Sequence, residues 1–288
     1  QDRSGGNQLS GEAPRVLLVF AHADDETLLA GALIAKLVST GHEVNLLCLA
    51  PGDNDRTRRM RNACEDLGVS TVETFSYTDG TVRPDEVSPQ DDENPGRTLS
   101  TRLVTAPIED LAGRISGRMS ESAPDLVITH SRYGDYGHAD HAVTHQATRH
   151  AFESWGNNRA RLYALDWPGW LVWLNIRFMK IGRGDVGRMG LAGRVNLRLA
   201  IREKSGTPAS IPVGDMLKIR RRASRWYQSE ISRGPLPLRL LERLPLWIQK
   251  WFLGTARLTL LRAPRGFSPG ASIEAKTSTG DSSSGEYL

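Results

Sequence analysis

One imidazole and three carboxylates stand together near the start of the chain, in the segment His22-Ala23-Asp24-Asp25-Glu26. The preceding residues, Val16 to Ala21, form a continuous apolar run, which is typical of a strand buried on both faces. The following residues, Thr27 to Val38, place apolar side chains at helical intervals. The helix dipole favours acids in a first turn, which explains one or two of the carboxylates but not a histidine beside two aspartates. The pattern therefore predicts a functional site where a central strand turns into a helix.

A second polar cluster, Gly137-His138-Ala139-Asp140-His141, follows another apolar run, Asp125 to His130. Alternating strands and helices of these lengths predict an α/β fold with a doubly wound, Rossmann-like, mostly parallel sheet and helices on both faces. No Gly-x-Gly-x-x-Gly follows the first strand, which disfavours a dinucleotide site. In the strand order 3-2-1-4 the first and fourth strands are neighbours, and their carboxyl ends line one crevice. We expect the two clusters to meet there.

The two clusters contain the ligand types of a catalytic zinc ion, which takes about three protein ligands and leaves a position open for water. His22 and Asp25 are three residues apart across the turn, and His141 supplies a third ligand from the second cluster. His145 is a competing ligand, because histidines four residues apart on a helix also bind zinc. Asp24 then lies beside the metal and is suited to act as a general base for the bound water.

His138 and Asp140 remain for the rest of the chemistry. A histidine that donates one ring nitrogen to an aspartate can serve as a general acid or stabilise an oxyanion with the other nitrogen. Together with a metal and a base, this pair predicts metal-assisted hydrolysis of an acyl group.

Both clusters resemble motifs of one family, the LmbE-like (PIG-L) de-N-acetylases, over about residues 14–170. The first is similar to Ala-His-Pro-Asp-Asp-Glu and the second to Gly-His-Pro-Asp-His, with both prolines replaced by alanine, at Ala23 and Ala139. Proline would pre-set the turns, so its absence loosens them but removes no chemical group. Further matches are Arg56, Leu67-Gly68-Val69 and Asp79-Gly80.

The resemblance implies that His22, Asp25 and His141 hold the metal, usually zinc, with iron or cobalt as alternatives at such a site. It implies that Asp24 is the base. It also implies that His138, oriented by Asp140, stabilises the tetrahedral oxyanion and protonates the leaving amine.

The family's substrate contacts fall on Arg56 and Asp79, which by this resemblance would touch the sugar. The glutamate that many members carry in the second helix falls at about Arg59, so Arg58 and Arg59 are alternatives to Arg56.

The expected activity is removal of the N-acetyl group from an N-acetylglucosamine-type conjugate, because members of the family typically act on that sugar attached to a larger group. One alternative is an amidase that releases a larger acyl group from a thiol, lipid-linked or antibiotic conjugate. A non-enzymatic alternative is a membrane-surface binding protein with a vestigial site, although an intact set of polar groups disfavours it.

Charge is divided unevenly along the chain. Residues 1–150 hold 14 Lys and Arg against 23 Asp and Glu, whereas residues 151–265 hold 22 against 7. The basic part is rich in aromatic and leucine residues, notably over 167–179 and 236–261. We expect these segments to form helices packed on the catalytic part. The alternatives are a peripheral membrane face and a groove for a lipid-linked or acylated sugar. No nucleic-acid partner is expected, because the basic stretch has no recognisable binding motif.

Four segments are predicted. Residues 1–13 and 263–288 are expected to be disordered ends, 14–170 a catalytic α/β domain, and 171–262 a basic, mainly helical extension. Gln1–Gly11 has no apolar core of a secretory signal, and Cys48 and Cys64 lie in apolar patterns typical of buried thiols. A cytoplasmic protein is therefore expected, with peripheral membrane contact kept open.

Overall fold

A seven-stranded sheet forms the centre of the protein in the computed structural model, which describes residues 13–80, 101–166, 177, 206–234 and 236–264. The strands are β1 (Arg15–His22), β2 (Glu43–Ala50), β3 (Thr71–Thr74), β4 (Leu126–Thr129), β5 (Arg161–Asp166), β6 (Thr207–Pro212) and β7 (Thr255–Arg262). The α-helices are α1 (Asp25–Leu28), α2 (Gly31–Ser39), α3 (Asn54–Leu67), α4 (Ile108–Ser122), α5 (Ala139–Trp155), α6 (Leu217–Ala223), α7 (Gln228–Arg233), α8 (Leu236–Arg243) and α9 (Leu246–Leu253). Two 3-10 turns occupy Leu103–Thr105 and Ser224–Tyr227.

The strand order is β3-β2-β1-β4-β5-β7-β6, which contains the predicted order 3-2-1-4. β1 lies between β2 and β4, and all the pairings from β3 to β5 are parallel. The carboxyl ends of β1 and β4 are therefore adjacent, as the sequence predicts, and the α/β fold class is confirmed.

The alternation of side chains along β1 divides the core into two halves. Val16, Leu18 and Phe20 belong to the cluster that includes α2 and α3, whereas Leu17 and Val19 belong to the cluster that includes α4 and α5. Because both faces of β1 are covered, the strand must be apolar throughout, and this explains the continuous apolar run in its sequence.

One predicted element differs from the structure. The single helix predicted over 27–38 is two helices, and Gly31 begins the second where an added Cβ would lie 3.0 Å from Arg220 Cγ. Elsewhere, Pro107 separates the 3-10 turn Leu103–Thr105 from α4. Beyond the end of β3, the Phe75 and Tyr77 N–H groups still donate to β2 carbonyls.

The basic part of the chain adds strands as well as helices. β7 is antiparallel to β5, and β6 is antiparallel to β7. The expectation of helices throughout 236–261 is therefore wrong for its last third, because Thr255-Ala-Arg-Leu-Thr-Leu alternates small or polar with apolar residues at the period of a strand. Trp167–Trp170 and most of 171–205 lie outside the described residues, as do residues 1–12 and 265–288 of the two predicted ends, 1–13 and 263–288. In the part that is described, no helix combines the length and apolar content needed to cross a bilayer.

A buried ion pair joins two helices of this basic part, and its arginine also reaches the catalytic part. Arg220 of α6 is 3% exposed, and its Nη2 lies 2.6 Å from Oε1 of Glu242 in α8. The same guanidinium reaches the carbonyl of Leu28, beside the turn that follows β1.

We predict that Glu242→Ala lowers the free energy of unfolding by about 3 kcal/mol, because it leaves the Arg220 guanidinium buried without its carboxylate. Urea denaturation measures the change. Glu65→Ala is the matched control, since Glu65 is an exposed helical glutamate with no side-chain partner in the described residues. Equal stability of the two variants would contradict the role given to this pair.

Candidate metal centre and active site

His22, Asp25 and His141 come together at the carboxyl edge of β1 and β4. His22 Nδ1 lies 3.2 Å from His141 Nε2, and Asp25 Oδ2 lies 3.6 Å from His22 Nδ1. Asp25 Oδ1 lies 3.4 Å from His141 Nε2, so the aspartate faces the two rings with different oxygens. All three side chains are buried. The three residues predicted as ligands therefore meet, although they are 119 positions apart at the extremes.

Two aspartates behind the rings fix which nitrogens face inward. Asp140 Oδ2 accepts a hydrogen bond from His22 Nε2 at 3.0 Å, and Asp135 Oδ2 accepts one from His141 Nδ1 at 2.9 Å. Carboxylates accept only, so each neutral ring carries its proton on the outer nitrogen and turns a lone pair inward. Two lone pairs and the Asp25 carboxylate thus point at one place.

That arrangement fits a divalent metal. Ligand atoms about 2.1 Å from a tetrahedral zinc ion are roughly 3.4 Å from one another, close to the three separations measured here. Without a cation, a proton on His22 is the alternative source of positive charge. Burial lowers the pKa of His22, but Asp79, Asp140 and Asp25 outweigh burial and raise this pKa well above its usual value.

His130 is the nearest further histidine, and sequence reasoning gave it no role. It stacks on His141 with ring centroids 3.9 Å apart, and its Nε2 lies 3.4 Å from Asp25 Oδ2. Its Nδ1 donates to Asp135 at 2.6 Å, while its Nε2 accepts the Ala21 N–H at 2.9 Å. Because both nitrogens are engaged, His130 is a support for the centre and does not offer a free lone pair.

His145, the competing ligand, turns away from the centre. Its Nδ1 donates to the His130 carbonyl at 2.8 Å, and it belongs to none of the potential metal-binding groups found among the described residues. The helical spacing of His141 and His145 is therefore not used for a shared ion.

The loop that carries Asp135 was another omission of the sequence analysis. Gly134 has φ +75°, and a Cβ there would lie 2.1 Å from the His138 carbonyl oxygen. Asp135 follows with φ +59°, its N–H donating to Ser131 Oγ. This tight turn places one carboxylate under both His130 and His141. The signal available in the sequence was the pair of glycines around Asp135, which marks a compact turn.

Asp24 lies beside the cluster without belonging to it. It adopts φ +118° at the start of α1, a strained conformation held by its N–H, which donates to Glu26 Oε2 at 3.0 Å. Glu26 Oε1 in turn accepts hydrogen bonds from Thr27 and from the hydroxyl of Tyr227, at 2.7 and 2.8 Å. Burial raises the pKa of Asp24 to about 7, with Arg56 acting in the opposite direction.

Arg56 is the arginine of its helix that reaches the site. Its Nη2 lies 3.2 Å from Asp24 Oδ2 and 2.8 Å from the Ala23 carbonyl. The alternatives are engaged elsewhere: Arg58 pairs with Asp55, and Arg59 pairs with Glu230 at 2.8 Å.

Asp79 is also at the site, with Oδ1 3.7 Å from His22 Nε2 and a side chain 16% exposed. It contributes to a second group of potential ligands around the outer nitrogen of His22, together with His138 and Asp140.

The expected contact between His138 and Asp140 needs a correction. His138 precedes α5, and its Nδ1 accepts the backbone N–H of Asp140 at 3.2 Å. The Asp140 carboxylate instead accepts from His22 and from the Gly80 N–H, the latter at 2.6 Å. Asp140 therefore orients His138 through its main-chain N–H, because its carboxylate already accepts a hydrogen bond from the candidate metal ligand His22.

The same hydrogen bond sets the tautomer of His138. Since Nδ1 accepts, the proton of the neutral ring is on Nε2. Burial beside His22 and His141 lowers the pKa of His138 to about 2, which agrees with a neutral ring. Tyr136, a partly buried residue whose ring centroid lies 5.1 Å from that of His141, completes this side of the site.

Comparison with known proteins now gives these residues a family. The family model of PIG-L, described as GlcNAc-PI de-N-acetylase, matches residues 17–152, which include every site residue above except Tyr227 and Glu230. Residues 17–152 are therefore similar to a PIG-L domain. The predicted family resemblance is thereby confirmed.

Relatives of the PIG-L domain include two 1D-myo-inositol 2-acetamido-2-deoxy-α-D-glucopyranoside deacetylases. The one from Kineococcus radiotolerans is 31% identical over 161 residues, covering 46% of this chain and 43% of its own. The one from Mycolicibacterium smegmatis is 29% identical over 160 residues, covering 49% and 54%. The chain thus spans about half the length of these relatives.

Solved structures share the fold of the PIG-L domain and its extension. A deacetylase of teicoplanin biosynthesis is 20% identical with a TM-score of 0.53, over 85% of this chain and 98% of the other. The N,N'-diacetylchitobiose deacetylase of Pyrococcus horikoshii is 15% identical with a TM-score of 0.50, over 87% and 84%. At these identities the likeness establishes the α/β architecture.

We predict that His141→Ala removes tightly held zinc, whereas His145→Ala, one helical turn away, keeps it. The reason is that His141 directs a lone pair at the centre and His145 bonds the His130 carbonyl. Metal analysis after exposure of each stripped variant to zinc and exhaustive dialysis measures the difference. Loss of zinc from His145→Ala with retention in His141→Ala would show that the wrong pair has been assigned.

Proposed function

We propose that the protein is a zinc-dependent hydrolase that removes the acetyl group from the nitrogen of an N-acetylglucosamine-type conjugate. The observation that carries the proposal is the inward-facing set of His22, Asp25 and His141, with the Asp24 carboxylate next to it and bound by Arg56. Two relatives are named as deacetylases of an acetamido-glucopyranoside linked to inositol, and these names support the choice of sugar.

The same three residues would hold the ion, and iron or cobalt are alternatives to zinc with this donor set. When bound, such an ion supplies Lewis acidity, which polarises an acyl oxygen and lowers the pKa of water. Asp140 and Asp135 keep the two histidine rings in the tautomers that the ion requires.

Asp24 is proposed as the base that takes a proton from the attacking water. Its carboxylate is next in sequence to Asp25 and is held by the Arg56 guanidinium rather than by the ligand histidines. A side chain 19% exposed is accessible from the crevice, so a water molecule can reach it.

His138 is proposed to donate a hydrogen bond from Nε2 to the acyl oxygen as negative charge develops there. The main-chain hydrogen bond to Nδ1 fixes the ring in the orientation that this needs. Protonation of the leaving amine by the same ring stays part of the proposal. The proton that Asp24 takes from the attacking water is the one passed on through His138 to the amine nitrogen as the C–N bond breaks.

Arg56 and Asp79 are proposed as sugar contacts. Both lie at the partly exposed rim, with side chains 22% and 16% exposed, next to the predicted base and to His22. A charged rim of this kind suits hydroxyl groups, because guanidinium donates and carboxylate accepts hydrogen bonds.

The domain boundaries also stay a proposal: a catalytic domain over 14–170 and an extension over 171–262. The hydrogen bond from Tyr227 to Glu26 and the pair between Arg59 and Glu230 support an extension that packs on the catalytic part. A cytoplasmic location is proposed with it.

We predict that Asp24→Asn lowers turnover by about 10²-fold or more, and that Asp24→Ala abolishes it, because neither side chain can accept the water proton. Both variants should keep zinc. Release of free amine from N-acetylglucosamine linked to inositol, with metal content determined in parallel, is the measurement. Asp110→Asn, an exposed aspartate of α4, is the control. Full activity in a zinc-loaded Asp24→Asn variant would refute the assignment.

For His138→Ala we predict a loss of turnover of about 10²-fold or more, the usual scale of a lost oxyanion donor. His138→Gln should recover part of it, because its amide N–H can replace the ring donor. His150→Ala, near the far end of the same helix, should have no effect. Steady-state kinetics of the three variants decides, and equal rates for His138→Ala and the parent chain would remove His138 from the mechanism.

Mass spectrometry of the acid released from the same substrates distinguishes acetyl from larger acyl groups. Acetate from N-acetylglucosamine conjugates supports the proposal. A larger acid released only from acylated thiol, lipid-linked or antibiotic conjugates would favour the amidase alternative. Absence of any amide hydrolysis in zinc-loaded protein would leave only the binding role.

A further inference from the structure

The outward sides of α8 and α9 carry an unusual surface. Among the described residues, four of the five large hydrophobic side chains that are exposed lie on these two helices. Leu236 and Leu240 are 58% and 52% exposed, and Trp247 and Trp251 are 68% and 85% exposed. The spacing of four residues within each pair puts its members on one side of their helix.

This side is the reverse of what a helix packed on a soluble protein presents. Such a helix buries its apolar stripe and turns polar residues to water. Here the side chains of Gln249 and Glu242 face inward instead: Gln249 is fully buried and donates to the Leu241 carbonyl, and Glu242 pairs with Arg220. The polar contacts therefore fasten the two helices to the protein and leave the aromatic side outward.

Basic residues are interleaved with the exposed apolar ones. Arg239, Arg243 and Lys250 are exposed, and each is three residues from one of the outward Leu or Trp residues or from the next cation. Glu242 is the sole acid in the sequence 236–253, and its side chain is 7% exposed. We name this surface the aromatic–basic face; its residues are Leu236, Arg239, Leu240, Arg243, Trp247, Lys250 and Trp251.

A cavity of about 370 Å³ opens beside the face, between α8 and the segment 221–232. Two of its lining arginines, Arg239 and Arg243, belong to the face itself. Neither these two arginines nor Arg225 of the cavity wall forms an ion pair with a residue in the described ranges. The other polar lining residues are Arg221, Ser224, Gln228, Ser232 and Glu242, and the Glu242 carboxylate is paired with Arg220. Arginines grouped around a cavity, with hydroxyl and amide donors, suit the bidentate recognition of a phosphate.

We propose that the aromatic–basic face docks on the surface of an anionic phospholipid bilayer. Trp247 and Trp251 enter the interfacial region, where indole rings are favoured, and the leucines add apolar area. Arg239, Arg243 and Lys250 face the anionic headgroups, and the arginine cavity accommodates a lipid phosphate.

Charge decides between a bilayer and a second copy of the chain as the occupant. A twofold interface brings the same patch of both copies together, so three exposed cations would meet three identical ones without an exposed acid on either side. An anionic bilayer supplies the opposite charge along the whole face. The proposal concerns a surface separate from the metal cluster and does not depend on the deacetylase activity.

The test is co-sedimentation of the full chain with vesicles of phosphatidylcholine alone and of phosphatidylcholine mixed with phosphatidylglycerol. We expect at least about tenfold tighter binding to the anionic vesicles, weakening as salt is added. The double variant Trp247→Ala/Trp251→Ala should lose roughly tenfold or more of this affinity. Arg239→Gln/Arg243→Gln should lose a similar factor on anionic vesicles and little on neutral ones.

Matched controls keep the result specific. Arg149→Gln/Arg159→Gln removes the same two charges from the far end of α5 and the loop after it, and Trp226→Ala removes an exposed indole that bonds Asp66 of α3. Both should bind vesicles like the parent chain, and thermal unfolding verifies that every variant is folded.

Failure of the parent chain to bind anionic vesicles would overturn the proposal, as would equal losses in the control variants. Undiminished binding of the tryptophan double variant to anionic vesicles would show that the face is not the docking surface. Concentration-dependent dimers that disappear in the tryptophan double variant, without vesicle binding, would assign the face to a second copy.

Discussion

The site depends on the close approach of two ring nitrogens, His22 Nδ1 and His141 Nε2, which lie 3.2 Å apart with their lone pairs facing each other. Lone pairs repel unless a cation or a proton lies between them, and the Asp25 carboxylate beside them increases the demand for positive charge. Asp140 and Asp135 enforce this from behind, since each accepts the outer ring proton. The cluster is thus arranged for a cation by residues that do not touch it.

The strained turn at Asp24 shows how the rest of the protein supports that cluster. A positive φ at a non-glycine residue persists only where surrounding contacts hold it. Glu26 accepts the Asp24 N–H, Tyr227 donates to Glu26, and Arg56 bonds both the Ala23 carbonyl and the Asp24 carboxylate. Tyr227 comes from the basic part of the chain, so a residue far outside the two sequence motifs fixes the proposed base.

The sequence was sufficient to predict those features that depend on the residue pattern within one segment. The apolar run of β1, the polar turn after it and the second cluster before α5 predicted which strands would be neighbours and which ligands would meet. The sequence was not sufficient to predict hydrogen bonds between residues that are far apart along the chain. Asp140 could be seen to lie next to His138, but not that its carboxylate would reach His22, 118 positions away. Asp135 and His130 were overlooked for the same reason, because their value comes from a shared hydrogen bond in space.

The charge asymmetry of the sequence acquires a physical meaning in the fold. Acidic groups of the first half surround the candidate metal centre, whereas some arginines of the second half join the two halves. Arg222 pairs with Asp66 of the first half at 2.7 Å, and Arg220 packs against Gly31. Arg239, Arg243 and Lys250 form no ion pair with another described residue and are exposed. Cations that neither stabilise the fold nor approach the metal cluster, placed among outward-facing tryptophans, have their natural counterpart in an external anionic surface.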